Sequence, residues 1–428
     1  MSRHSHLAKP IPSHPSRPPR VLLLTSPRSY RTHDFLVAAE RLGIQVFQAV
    51  NAPWELAQEW DHPLAIPFQD VEPAVEALTA FVEANPVDAI LAVDDEGVLL
   101  AARASQRLGL PHNDYAAAEA ARDKFRMRSL LAAAGVPCPA FQRFSLADDP
   151  AWVARQVPYP CVVKPLNLNG SRGVIRADDP ASFQVAVQRL ARLIGAGDEA
   201  SPPFYLVEAF IPGFEVALEG ILDGGELHVL ALFDKPDPLD GPFFEETIYV
   251  TPSRLPQEVQ ETIFRTAAQA ARALGLREGP VHGELRVNEQ GAWIVEVAGR
   301  SIGGLCSRTL RFGTDRSLEE LILGQACGLG LGSLEQKAGA GGVMMIPIPQ
   351  AGILRGVEGV EAARAVPGIE EVQITARLNY PITPLPEGES YLGFIFARGE
   401  RPEEVEAVLR QAHACLHFRI DEEIPLWG

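Results

Sequence analysis

The sequence predicts a chain of mixed class, with a parallel α/β domain at its N-terminus followed by α+β segments. Three observations predict it. Short apolar runs alternate with helix-like segments up to residue 112, the order that builds a parallel sheet. The stretch "VHGELRVNEQGAWIVEVAGR" (281–300) alternates apolar and polar residues on both sides of "NEQG", the period of a half-buried hairpin. Beyond residue 340, "GGVMMIPIPQAGILRGV", "EEVQITARL" and "YLGFIFARG" read as strands, with helical segments near 358–365 and 402–416.

Bulk properties narrow the class further. At 428 residues and 46% apolar, the chain can bury a sizeable core and is expected to divide into about two to four domains. A formal net charge of −17 repels a polyanion, which argues against nucleic-acid binding. No apolar run reaches membrane-spanning length. Cys138, Cys161, Cys306, Cys327 and Cys415 are scattered and form no CxxC pair. That pattern reads as reduced thiols in a cytoplasmic protein. Residues 1–19, rich in proline, serine and histidine and free of acids, are expected to be a disordered tail.

In chain order, "RVLLLTSP" (20–27), a helix ending at "ERLG", "IQVFQAV" and "VDAILAV" give the strand and helix alternation of the first domain, 20–112. Asp94, Asp95 and Glu96 then stand where a strand ends and a helix begins, the edge at which open parallel sheets collect ligands. Helix capping accounts for such acids as well; Glu96 is the candidate for meeting a substrate cation. "NDYAAAEAARDKFRMRSLLAAAG" (113–135) reads as one helix with a glycine stop. "YPCVVKPLNLNGSRGVI" (159–175) is a strand running into a glycine-containing polar loop, able to bring backbone N–H groups to phosphate oxygens. It matches neither GxxxxGK[ST] nor GxGxxG, and an ordinary hairpin turn remains the alternative.

"FYLVEAFIPGFEVALEG" (204–220) gives a pair of apolar strands around Pro212-Gly213, with Glu208 and Glu215 among apolar neighbours. Buried carboxylates need partners: ribose hydroxyls or a base amino group would serve, and so would Lys124 or Lys164. In the 281–300 hairpin, a three-residue loop Glu289-Gln290-Gly291 puts Glu284 directly opposite Glu296. The aliphatic residues and Trp293 are then expected on the other, core-covering face. Like charges so placed destabilise the pair unless a divalent cation with a hard-oxygen shell joins them. A wet face or a surface salt-bridge cluster with His282, Arg286 and Arg300 is the alternative. The glycine-rich "GLGLGSLEQKAGAGG" (328–342) divides a domain at 113–330 from a C-terminal α+β module at 331–428, which shows no catalytic constellation of its own.

The order of these features is informative. Lys124, then Lys164 with its loop, then Glu208 and Glu215, then Glu284, Glu296 and Arg300 together resemble the ATP-grasp superfamily over roughly residues 20–330. "HGELRV" followed by "IVEVAGRSIGG" resembles the metal-and-substrate segment of the L-amino-acid ligases, which make dipeptides, and the C-terminal module resembles theirs. Many ATP-grasp enzymes carry an asparagine two residues after the second metal glutamate. Here Ala298 and then Arg300 follow Glu296, similar to the ligases and unlike the carboxylases.

The resemblance implies ATP, with magnesium or alternatively manganese, as cofactors. It implies Lys124 and Lys164 on the phosphates, under a 167–173 loop that includes Asn169, Gly170, Ser171 and Gly173. It further implies Glu208 in the adenine hinge beside the Ala209 and Phe210 backbone, Glu215 on the ribose, and Glu284 and Glu296 on the metal. Glu96, Glu246 and Arg300 would meet the substrates, a small-molecule carboxylate and an amine. His282 is either a base for the amine or an orienter of Glu284. No nucleic-acid or membrane partner is expected, and a homodimer is left open. The implied reaction is ATP-dependent amide-bond formation through an acyl phosphate. A carboxylase activating bicarbonate and a non-catalytic nucleotide-binding protein are the alternatives.

Overall fold

Five of the six residues of β1 (Arg20–Thr25) are buried, as expected of a strand covered on both faces of a parallel sheet. With α1 (Thr32–Leu42), β2 (Gln45–Asn51), α2 (Leu56–Glu59), β3 (Ala65–Ile66), α3 (Val71–Ala84), β4 (Ala89–Ala92) and α4 (Val98–Leu108), it builds a parallel sheet ordered β3-β2-β1-β4. The chain direction switches between β1 and β4. Tyr30 and Arg31 therefore leave the sheet beside Asp94–Glu96, at the edge where such sheets bind ligands. This computed structural model describes residues 17–27, 29–59, 64–195, 203–388 and 390–422. The expected tail lies outside the described residues up to residue 16. Arg17 is bound to the sheet, its guanidinium 3.0 Å from both oxygens of Asp88.

The single helix expected over 113–135 is two, α5 (Tyr115–Arg122) and α6 (Lys124–Ala133). Asp123 causes the break. Its side chain accepts the Arg126 N–H as an N-cap, and the Lys124 N–H leaves the helix for the Leu166 carbonyl. Next, β5 (Phe141–Ser145), α7 (Pro150–Val153), β6 (Cys161–Pro165), β7 (Ile175–Ala177), α8 (Pro180–Ile194) and β8 (Phe204–Ala209) form a small antiparallel sheet ordered β5-β8-β6-β7.

The chain then crosses to a larger sheet. Its elements are β9 (Phe214–Asp223), β10 (Glu226–Lys235), β11 (Ile248–Thr251), α9 (Gln257–Leu274), β12 (Gly279–Asn288), β13 (Gly291–Ala298), α10 (Leu318–Ala326) and β14 (Ala340–Ile346). After these come β15 (Gly352–Glu358), α11 (Val360–Arg364), β16 (Ile369–Ile374), β17 (Pro381–Ile382), β18 (Gly393–Gly399), α12 (Pro402–Ala414) and β19 (His417–Asp421). Eight strands pair in the order β13-β12-β9-β10-β11-β14-β18-β16, so one sheet runs through the 328–342 segment into the C-terminal module. A small sheet, β17-β15-β19, stands apart.

Two expectations change. The strands carrying Glu208 and Glu215 do not pair with each other; β8 belongs to the small sheet and β9 to the large one. The crossing needs Gly213, with φ +133°, because a Cβ there would lie 2.2 Å from the Val287 carbonyl oxygen.

The 281–300 hairpin also has a different register. Its loop is the two residues Glu289 and Gln290, with Asn288 facing Gly291, and a β-bulge follows between Glu284 and Leu285. Glu284 still faces Glu296, because the shorter loop shifts the register by one residue and the bulge shifts it back. Between loop and bulge the faces are exchanged relative to expectation: Ala292 and Ile294 enter the core, while Trp293 and Val295 do not.

Candidate active site

The three sheets meet around a cleft of about 570 Å³. The switch point of the first sheet supplies Tyr30, Arg31 and Asp94–Glu96, the small sheet supplies Lys164 and Glu208–Phe210, and the large sheet supplies Glu215, His282, Glu284, Glu296 and Arg300. Glu246, Asn169, Gly170 and Ser171 line it too, whereas Lys124 and Gly173 stand behind the surface. The C-terminal module contributes Met345 and Tyr391, a role its sequence did not suggest.

At one wall, β6 and β8 bring Lys164 and Glu208 together at 2.6 Å, and Arg128 of α6 reaches the same carboxylate at 2.7 Å. All three side chains are buried. Burial alone would push the Glu208 carboxyl up, but the two cations hold it below its ordinary value. The salt bridge to Lys164 left open by the sequence is therefore formed. The N–H groups of Ala209 and Phe210 are bonded to the Ala140 and Pro160 carbonyls, so neither is free for a base. The next cleft residue of this segment is Ile211.

The loop after β6 is held from two sides. Lys124 donates to the Leu168 carbonyl at 2.8 Å and lies 3.2 Å from Glu296. On the other side, the Gly173 N–H reaches the Pro386 carbonyl at 2.8 Å and Arg172 reaches that of Glu387 at 3.1 Å. Gly170 and Gly173 have positive φ, as does Ser171 at 56°.

Glu284 and Glu296 share the cleft wall formed by β12 and β13. Their repulsion is met by cations of the chain itself: Lys124 on Glu296, and Lys235 at 3.3 Å with His282 at 3.5 Å on Glu284. Burial opposes ionisation of Glu284, yet Lys235 and His282 pull it well below the ordinary range.

Burial likewise opposes charge on His282, but its bonds to Glu219 and Glu284 more than offset that and raise it to about 9. The ring thus lies between two carboxylates, 3.2 Å from Glu219 and 3.5 Å from Glu284, which favours its protonated form near neutral pH.

Lys235 also bridges Glu215 at 2.9 Å and contacts Glu246. Glu215, Glu246 and Glu284 thus converge as a metal-like trio around a lysine ammonium. The second oxygen of Glu215 takes Arg286 at 2.9 Å. Burial and the neighbouring Glu284 raise Glu246 to about 7.

Of the acids after β4, it is Asp95 that meets Arg300, at 2.8 Å, and Arg122, at 3.1 Å. Glu96 is exposed and 2.7 Å from the Asn51 amide.

Sequence reasoning missed Arg128, Glu219 and Lys235 as partners of the site; it named Asp95 but chose Glu96, and it named Arg286 only in a surface cluster. One signal was available. Arg128 is four residues from Lys124, on one helix face.

A metal fits this donor set. Glu284 and Glu296 offer hard oxygens from facing strands on one cleft wall, and the chain keeps Glu284 ionised. Ala298, buried beside them, offers no ligand.

Three family models match the chain: an ATP-grasp domain over residues 157–309, an L-amino acid ligase C-terminal domain 2 over 344–421, and an ATP-grasp N-terminal domain over 36–112. An uncharacterized protein of Sinorhizobium fredii is 28% identical over 319 residues, 74% of this chain and 64% of that protein. The alanine–anticapsin ligase of Bacillus amyloliquefaciens is 28% identical over 289 residues, 62% of this chain and 60% of the ligase. The chain therefore spans less than two thirds of the length of these curated relatives. Among solved structures, the L-amino acid ligase from Bacillus licheniformis matches with a TM-score of 0.76 at 26% identity, covering 95% of this chain and all of that one. No helix among the described residues is long and apolar enough to cross a membrane.

Proposed function

We propose that this chain, which matches an ATP-grasp domain over residues 157–309 and an L-amino acid ligase C-terminal domain over 344–421 and resembles a solved L-amino acid ligase along 95% of its length, joins a carboxylate to an amine at the expense of ATP. The observation that carries this reading is the wall of β12 and β13, with Glu284 facing Glu296 and Arg300 just beyond, its guanidinium fixed by Asp95.

Lys164 and the 167–173 loop bind the triphosphate, and Glu208 and Glu215 belong to the base and ribose ends of the same groove. Glu284 and Glu296 would hold magnesium, which when bound would neutralise charge on the transferring phosphoryl group. The carboxylate oxygen attacks the γ-phosphorus, its bond to the bridging oxygen breaks, and ADP leaves. The amine nitrogen then attacks the acyl carbon, the carbon–oxygen bond to phosphate breaks, and the amine proton leaves with phosphate or water. Arg300 presents a planar fork to the carboxylate and its phosphorylated form. His282, already protonated, steadies Glu284. Glu96 remains to meet an ammonium, since Asp95 is committed to two arginines.

Past Arg300 the cleft is lined by Tyr30, Ile302, Cys306, Met345 and Tyr391. An apolar side chain on the carboxylate substrate suits this end, because a charged one would lose its hydration there. In a panel of amino acids and amines scored by phosphate release and product mass, apolar amino acids should exceed aspartate, glutamate and lysine in kcat/KM by about tenfold or more. No condensation product with any pair, or a carboxylated product from labelled bicarbonate, would refute the ligase reading.

A further inference from the structure

We propose that Arg128 is a positioning residue that sets the Glu284–Glu296 pair by holding the bulge at Val295. The hairpin register makes the need plain. From the loop, Asn288 faces Gly291, Arg286 faces Trp293 and Leu285 faces Ile294. An unbroken ladder would next place Val295 opposite Glu284. Glu296 would then fall opposite Gly283, on the face that Leu285 and Ile294 bury in the core. A carboxylate cannot rest there without a partner. The extra residue Val295 restores the alternation and returns Glu296 to the cleft.

A bulge leaves its extra residue outside the ladder, and the Val295 carbonyl, part-buried on the side facing α6, is satisfied only by a donor there. Among the described residues β13 is the outermost strand of the sheet, so no further strand there supplies one. Arg128, fully buried on α6, donates through Nη2 to the Val295 carbonyl. Its Nε lies 2.7 Å from the Glu208 carboxylate, which Lys164 shares. A single buried guanidinium therefore ties the bulge beside one carboxylate of the pair to the Glu208–Lys164 cluster. A planar fork can hold both directions at once; a lysine ammonium cannot reproduce that geometry.

The metal consequence rests on the function proposed above; the register consequence does not. The test uses the full chain as wild type, Arg128→Lys, Glu296→Gln and the double variant. Mn²⁺ affinity is measured by electron paramagnetic resonance with a non-hydrolysable ATP analogue, and the hairpin register by a crystal structure of Arg128→Lys. Arg128→Gln replaces Arg128→Lys if the latter does not fold.

Arg128→Lys should weaken Mn²⁺ binding by about 10- to 100-fold, the usual effect of removing a group that orients a ligand. The double variant should bind no more weakly than Glu296→Gln alone, because both changes act through one carboxylate. The crystal structure should show Val295 drawn out of its bulge and Glu296 displaced from Glu284. An intact bulge in the variant overturns the proposal, and so does an Arg128→Lys effect that multiplies in full with that of Glu296→Gln. Wild-type protein that binds the analogue but no Mn²⁺ would count against the metal reading alone, and the register would still decide the role of Arg128.

Discussion

Glu296→Gln or Glu284→Gln should lower magnesium-dependent ADP formation by about a hundredfold or more while the protein stays folded. The magnitude follows from charge. A cation on the transferring phosphoryl group is worth several kcal/mol of transition-state stabilisation, and about 1.4 kcal/mol is a factor of ten in rate. The amide keeps the shape and one acceptor oxygen but removes the charge that draws the ion. Both side chains are partly open to the cleft, with 18% of Glu284 and 28% of Glu296 accessible, so the loss of charge should not leave a cavity. Steady-state kinetics over a magnesium titration, with circular dichroism to confirm folding, reads the result. Near-normal turnover in both variants would mean that the facing carboxylates serve something other than a metal.

Glu208→Ala is expected to have the largest effect on stability. Its carboxylate is shared by Arg128 and Lys164, and none of the three is exposed by more than 6%. Removing one partner of a buried ionic cluster leaves uncompensated charge and costs about 3–5 kcal/mol. Urea unfolding reads this as a lower midpoint at constant slope. An exposed pair provides the contrast. Glu370→Ala, which loses a bond to Arg398 with 33% and 46% of the two side chains accessible, should cost about 1 kcal/mol or less. Equal losses at the two sites would show that the Glu208 cluster contributes no more than a surface pair.

The sequence carried the site unevenly, for physical reasons. Alternation together with an assumed three-residue loop brought Glu284 and Glu296 face to face; the two-residue loop alone would have parted them, and the bulge restores the pairing. The loop length and the bulge were hidden, since the donor that stabilises the bulge lies more than 160 residues away in sequence, on α6. Which acid after β4 meets Arg300 was equally hidden. Asp95 and Glu96 have the same charge and adjacent positions, and only the turn of the short helix at Asp95–Gly97 aims one inward and the other at solvent.

Glu208 and Glu215 were legible as buried acids needing partners. Of their partners only Lys164 was legible; Arg128, Lys235 and Arg286 were not, because they reach the two acids from a helix and from other strands. The strand pair around Pro212-Gly213 misled, since two apolar strands joined by a short turn read as neighbours. The close contact of Gly213 with β12, which sends β9 into another sheet, exists only once the fold is formed.

Transfer of oxygen from the carboxylate to phosphate tests the central claim most directly. A carboxylate substrate labelled with heavy oxygen at both positions is incubated with ATP, magnesium and an amine, and the released phosphate is analysed by mass spectrometry. Activation through an acyl phosphate requires one labelled oxygen atom in each phosphate and one in each amide product, with ADP formed in equal amount. Phosphate free of label, or ADP formed without an amide, would contradict the account.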